Sequence, residues 1–266
     1  MTTEVMFAYA VLGAFAGVLA GLLGVGGGLV IVPVLAFLFQ AQGIDQVVVV
    51  HLAIGTSLAT IVVTGVSSVV VHHRHGAVLW RVVWLLTPGI VVGAGMGAEL
   101  VHRLPTAALK IIFGLFELVV AVKIGMGLRP SSQHRLPGQT GMTGVGALIG
   151  FVSGTVGIGG GILTVPFLAW CNVSIRNAVA TSAACGVPIA LSGSIGFVVA
   201  GWAVAALPPL STGYVYWPAL IGVTMASMLT APFGAKLTHR LPTTLLTRFF
   251  AVFLCALGIQ MLLSAR

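Results

Sequence analysis

The chain has 266 residues, of which 58% are hydrophobic and 6% charged, against the roughly 25% charge of a soluble domain. Its apolar residues come in unbroken runs such as Val47–Val71 and Val82–Leu100, and ~20 such residues carry a helix across a hydrocarbon core, so a soluble fold is excluded. The net charge of +8, from 12 Lys and Arg against 4 Asp and Glu, sits between or at the ends of apolar segments, where it faces anionic headgroups and implies a lipid bilayer rather than nucleic acid.

In chain order, Met1–Glu4 offers no positive leader before the first apolar run, which argues against a cleaved signal peptide. Apolar segments follow at 5–24, 28–39, 47–71, 78–101 and 106–127. The polar stretch 128–140 comes next, then segments at 141–157, 161–172, 177–206, 215–238 and 241–263. The second segment of each set holds only about a dozen residues, short of a span and suited to a re-entrant or broken element. The pattern predicts an all-α polytopic membrane protein of two homologous halves, 1–127 and 141–266, joined by the loop 128–140. Each half would contain a Gly-broken hairpin plus three full transmembrane helices.

The homology of the halves is visible directly. Gly17-Val-Leu-Ala-Gly21-Leu-Leu-Gly24-Val-Gly26-Gly27-Gly28-Leu-Val-Ile-Val-Pro33 returns as Gly150-Phe-Val-Ser-Gly154-Thr-Val-Gly157-Ile-Gly159-Gly160-Gly161-Ile-Leu-Thr-Val-Pro166, with six glycines and a proline in register. Ala53-Ile-Gly-Thr56-Ser57 then echoes in Ala178-Val-Ala-Thr181-Ser182, and His102-Arg-Leu-Pro-Thr106 in His239-Arg-Leu-Pro-Thr243. An odd number of crossings per half would make the halves inverted repeats. That path puts Arg74, Arg81, Lys123, Arg129, Arg135, Arg176, Lys236, Arg240 and Arg248 on one side, and Arg103, Lys110 and Arg266 on the other. The excess marks the first side as cytoplasmic and leaves both termini outside.

Glycine costs about 1 kcal/mol relative to Ala inside a helix, so the runs containing Gly26, Gly27, Gly28 and Gly159, Gly160, Gly161 predict breaks at membrane depth. Such backbone survives in a bilayer only where protein or a water-filled cavity covers it. Its freed N–H groups, beside a helix start, can cradle an anion; close helix packing is the competing reading, and fits Gly17-xxx-Gly21 and Gly150-xxx-Gly154. Neither run has the spacing of a dinucleotide fingerprint or a phosphate loop. Thr56, Ser57, Thr181 and Ser182 supply hydroxyls that either donate to an oxyanion or bond their own helices. Five residues before each Thr stand His51 and Arg176: a titratable ring, and a cation for the mouth of a path or an interfacial anchor. Glu117, an acid well inside a predicted span, is a proton-coupling candidate without a twin near Leu254.

His72-His73-Arg74-His75 reads as a basic interfacial anchor rather than a metal site, and Cys171, Cys185 and Cys255, without CxxC spacing, as packing residues. No cofactor, metal or catalytic residue is expected, and no set of converging groups points to an intramembrane enzyme. The doubled Gly-x-Gly-Gly-Gly-x4-Pro, Gly24 to Pro33 and Gly157 to Pro166, followed by Gly-Thr-Ser and Ala-Thr-Ser, resembles the sulfite exporter TauE/SafE family of membrane permeases over essentially the whole chain. The resemblance implies passage of a small sulfur-containing anion, sulfite or an organosulfonate, through a site between the two breaks and the Thr-Ser pairs in the cell (inner) membrane. A passive anion channel would use the same parts, and a homodimer is compatible with the many small-residue faces.

Overall fold

The computed structural model describes residues 3–23, 27–126, 134–238 and 243–265. Among them stand ten helices: α1 (Thr3–Leu23), α2 (Gly28–Ala41), α3 (Val49–Arg74), α4 (Trp80–Arg103), α5 (Thr106–Gly125), α6 (Gln139–Val156), α7 (Gly161–Trp170), α8 (Ile175–Gly201), α9 (Trp217–Thr238) and α10 (Thr243–Leu263). Each expected apolar segment becomes one helix. The end of α8 differs from expectation: helix stops at Gly201, and a hairpin of β1 (Ser211–Thr212) and β2 (Val215–Tyr216) precedes α9. Period-3.6 patterning does not register strands of two residues.

α3, α4 and α8 are each long and apolar enough to cross a membrane, and the protein is a multi-pass, all-α membrane protein. At ~1.5 Å per residue, the 14 residues of α2 and the 10 of α7 reach roughly 21 and 15 Å, well short of a ~30 Å core. Both short helices carry an internal proline, Pro33 and Pro166, and both end alike. Ile44 N–H closes onto Phe39 O over left-handed Gly43, and Val173 N–H onto Leu168 O over left-handed Asn172. This wrap satisfies the last carbonyls and turns the chain sharply.

Packing between the two sequence repeats is reciprocal. α1 lies along α9 and α6 along α4, while α3 faces α8 and α5 faces α10. In lipid, apolar burial gives helices little reason to associate, so close van der Waals approach has to hold them. The sequence provides it through glycines four apart: Gly89, Gly93 and Gly97 of α4 against Gly146, Gly150 and Gly154 of α6. A methyl on Gly97 would stand 2.6 Å from Phe151 O, and one on Gly154 2.7 Å from Ala94 O. Gly13 and Gly17 meet α9 the same way, and Ser227 and Thr230 hydroxyls donate across to Gly13 O (2.8 Å) and Ala14 O (2.9 Å). Inside this frame Leu35, Phe39, Leu52, Ile54, Phe113 and Leu254 form part of a core that also covers α2 and the first turns of α3.

Candidate functional site

The two glycine breaks meet in the interior. α6 ends on Gly157, left-handed at φ 74°, where the N–H groups of Gly157 and Ile158 both donate to Ser153 O, at 2.9 and 3.1 Å. α7 then begins at Gly161, and Leu163 and Thr164 N–H donate back to Gly160 O. The amides of Gly159, Gly160 and Gly161 meet no acceptor among the described residues; a helix start leaves such donors unsatisfied. In the first break Gly27 is left-handed at φ 70°, and its carbonyl accepts from Val30 and Ile31. Gly24–Gly26, and so the candidate Gly26, lie outside the described residues. A methyl on Gly28 would stand 2.7 Å from Gly157 O and 2.9 Å from Ile158 Cα. Bare backbone therefore rests on bare backbone where the two repeats cross.

The Thr-Ser pairs border this crossing, and all four side chains are buried. Ser57 Oγ donates to Gly157 O at 2.9 Å, tying α3 to the other repeat's break. Thr56 Oγ1 accepts from Tyr216 N–H, and Thr181 Oγ1 accepts from Leu79 N–H, each at 3.0 Å. Tyr216 is the residue before α9 and Leu79 the residue before α4. Each threonine therefore holds the start of the other repeat's fourth helix, and its own hydroxyl proton remains available to an acceptor. Among the described residues Ser182 Oγ has no partner.

The remaining candidates are dispersed. Arg176 is exposed at the start of α8 and donates to His75 O at 3.4 Å. Buried His51 on α3 stacks on Tyr214 of the hairpin (5.1 Å between rings), and its Nε2 lies 3.0 Å from Val101 O and 3.1 Å from Leu104 O. Two carbonyl neighbours make that nitrogen the donor, and among the described residues Nδ1 has no hydrogen-bond partner. Glu117 is 0% exposed, and neither carboxyl oxygen has a partner among the described residues. Its side chain leaves α5 toward Gly258 of α10, where a methyl would lie 3.2 Å from Glu117 Cβ. In the His72–His75 stretch, His73 Nδ1 accepts the Trp80 indole N–H at 3.1 Å, and among the described residues no cluster of three metal-ligating side chains occurs.

Sequence reading alone did not single out Ser153 and Thr164, two more buried hydroxyls without a partner among the described residues. Thr164 Oγ1 lies 2.9 Å from where a Gly160 methyl would be. Their signal was available as departures from the repeat, since the first copy has Ala20 and Ile31 at those places. The hairpin was missed too. It forms one wall of an open cleft of 470 Å³ lined by Val5, Ala41, Gln42, Pro209, Leu210 and Tyr216. Tyr9 hydroxyl donates to Gln42 Oε1 at 2.9 Å behind it. Tyr216 thus links the cleft to Thr56 and, one residue on, to the crossing of the breaks.

The chain is 38% identical over 254 residues to a probable membrane transporter protein of Haemophilus influenzae, covering 95% of this chain and 96% of that one. Probable membrane transporter proteins of Methanocaldococcus jannaschii and Bacillus subtilis (YdhB) are each 27% identical, over 95% and 86% of this chain and 94% and 89% of theirs. No solved structure matches. The family model for the sulfite exporter TauE/SafE matches residues 9–261, so the chain belongs to that family and is a membrane transporter.

Proposed function

We propose that the protein is a secondary permease for a small oxyanion, sulfite or a small organosulfonate, bound where the two glycine breaks cross. The observation that carries this reading is the contact of Gly28 with Gly157 beside the amides of Gly159–Gly161, which meet no acceptor among the described residues. Main-chain N–H groups at a helix start favour negative charge. They do so without a buried cation, which would hold an anion too tightly to release it. Thr56, Ser57, Thr181 and Ser182 complete the lining, with Gly27 and Gly28 forming the opposite edge. Arg176 stands at the cytoplasmic mouth and attracts the anion.

The halves act as inverted repeats that rock about this crossing, a movement suited to broken helices in paired positions. The reciprocal pairing of α1 with α9 and α6 with α4 supports such a relation. Glu117 and His51 are the candidates for carrying a coupling proton. The test is flux of sulfite and methanesulfonate into proteoliposomes under imposed pH and voltage gradients. Flux that saturates and follows the gradients supports the permease; flux rising linearly with concentration would establish the channel instead. Absence of flux for every oxyanion refutes both.

A further inference from the structure

The connections between the third and fourth helices of the two repeats lie at opposite ends of α3. Residues 75–79 follow its last residue, Arg74, while the hairpin packs on its first turns through His51 and Thr56. With 26 residues, roughly 39 Å at the helical rise, α3 sets the two connections on opposite faces of the membrane. Each is held by the other repeat at two equivalent points. One is the threonine: Thr56 accepts from Tyr216 N–H and Thr181 from Leu79 N–H. The other is the residue five places earlier, and there the repeats part. Arg176 donates to His75 O at 3.4 Å, whereas His51 stacks on Tyr214 with 5.1 Å between rings. Tyr214 is wedged between the two helices that carry the Thr-Ser pairs. Its N–H donates to Phe197 O at 3.2 Å, a methyl on Gly201 would stand 2.6 Å from its N, and one on Gly55 would collide with its carbonyl oxygen.

We infer that the β1–β2 hairpin is a gate over the path to the crossing of the breaks, and that His51 is its proton-operated latch: a proton on His51 releases Tyr214 and opens this face. The hairpin's place over that path rests on the reading above, whereas the latch stands on the contacts themselves. Neutral His51 fits the closed state, with Nε2 donating to Val101 O and Leu104 O and buried Nδ1 facing no acceptor among the described residues. A second proton goes onto Nδ1, where it strands both a donor and a charge. Burying an uncompensated charge costs more than the attraction between a cation and a ring face returns. Withdrawal of Tyr214 admits water to that nitrogen. The ionisable groups facing His51 are Tyr214 and, from α4, His102, whose Nδ1 lies 3.1 Å from the Tyr214 hydroxyl. That bond survives protonation of His102, because the tyrosine oxygen accepts as well as donates. Farther along the same elements, Arg103 pairs with Glu99 at 2.7 Å, Asp45 accepts from Val47 N–H, and Lys110 of α5 donates to Ser264 O. None of the described carboxylates bonds His51 to hold its charge in place. Arg176, at the equivalent point on the opposite face, stays charged throughout the physiological range.

The experiment places spin labels on Ala41→Cys and Pro209→Cys, exposed residues that line the cleft beside the hairpin, with the three native cysteines replaced by alanine. Pulsed EPR on the protein in nanodiscs then reads the distance between them without any substrate. From about pH 8 to about pH 5, the range in which an ordinary imidazole charges, a longer distance should appear. Its share relative to the short distance should rise several-fold, by at most about 10-fold per pH unit for a single proton. His51→Phe, which keeps a ring on Tyr214 and cannot charge, should hold the short distance at both ends of the range, and His102→Phe should keep the wild-type response. His51→Gln, a neutral donor, gives the same reading should His51→Phe fail to fold. A wild-type distance indifferent to pH, a response that survives in the His51 variants, or one abolished by His102→Phe overturns the latch and leaves oxyanion transport standing. Absence of oxyanion flux in proteoliposomes, with the pH-dependent distance intact, removes the permease reading and leaves the latch.

Discussion

Thr56→Val tests the structural use of the Thr-Ser pairs. Valine matches threonine in shape, so no cavity opens at a side chain that is 0% exposed. What changes is the 3.0 Å bond from Tyr216 N–H, which loses its acceptor. Side-chain hydrogen bonds between membrane helices average only ~0.6 kcal/mol, because the unfolded chain in lipid finds other partners. The donor here is a main-chain N–H in a buried hairpin, and stranding such a group costs about 1–3 kcal/mol. The stranded-donor case governs, and Thr56→Val should lose about 1–2 kcal/mol in reversible unfolding by SDS in mixed micelles. Ser57→Ala strands only an acceptor, Gly157 O, which has a second lone pair, and should lose less. Thr56→Ser, which keeps the oxygen, should recover most of the deficit. A Thr56→Val protein within about 0.3 kcal/mol of wild type, below the smallest stranding cost, would refute the view that this hydroxyl pins the start of α9.

Other perturbations read other parts of the frame. Gly93→Ala drives a methyl toward Ala147 O and within 2.8 Å of Phe151 N, and overpacking of that kind should destabilise by about 1–3 kcal/mol. Gly144→Ala on the same α4–α6 pair meets nothing within 4 Å and should stabilise by roughly 0.5–1 kcal/mol through helix propensity; SDS unfolding of both variants checks the contrast. His51→Phe keeps a ring to stack on Tyr214 but gives up the donor shared by Val101 O and Leu104 O, and should lower stability by about 1 kcal/mol in the same assay. Glu117→Gln fixes a neutral side chain at the α5–α10 crossing, so flux in proteoliposomes should persist under a voltage gradient and lose its response to a pH gradient. An unchanged pH response would remove Glu117 from coupling.

Much of the helical plan was legible because the bilayer simplifies the code. An unbroken apolar run has few fates in lipid other than helix, and even α7, at 10 residues, falls within the expected segment 161–172. The glycines were legible as positions but not as partners. Gly13, Gly17, Gly146 and Gly150 serve helix crossings, whereas Gly157 and Gly160 bound the break, and only the fold tells which backbone each one meets. The hairpin at 211–216 was hidden because its order comes from Thr56 and Phe197, far away in sequence: Tyr216 N–H donates to Thr56 Oγ1 and Tyr214 N–H to Phe197 O.

Repetition itself also hid something. A duplicated motif draws the eye to what the copies share, and Gly-x-Gly-Gly-Gly with Thr-Ser suggests two equal contributions to one site. Shared residues are, however, the ones both copies need to build the crossing. Thr56 and Thr181 each take an N–H from the other repeat's fourth helix start, a use that twofold exchange requires of both. The two breaks themselves are in contact at Gly28 and Gly157, so a small anion bound there as proposed would not meet both copies alike. Among the described residues, the buried hydroxyls left without a partner near the second break include two that differ from the first copy, Ser153 for Ala20 and Thr164 for Ile31, beside the shared Ser182. In a protein built by duplication, symmetry positions the frame, and departures from symmetry are where specificity has room to arise.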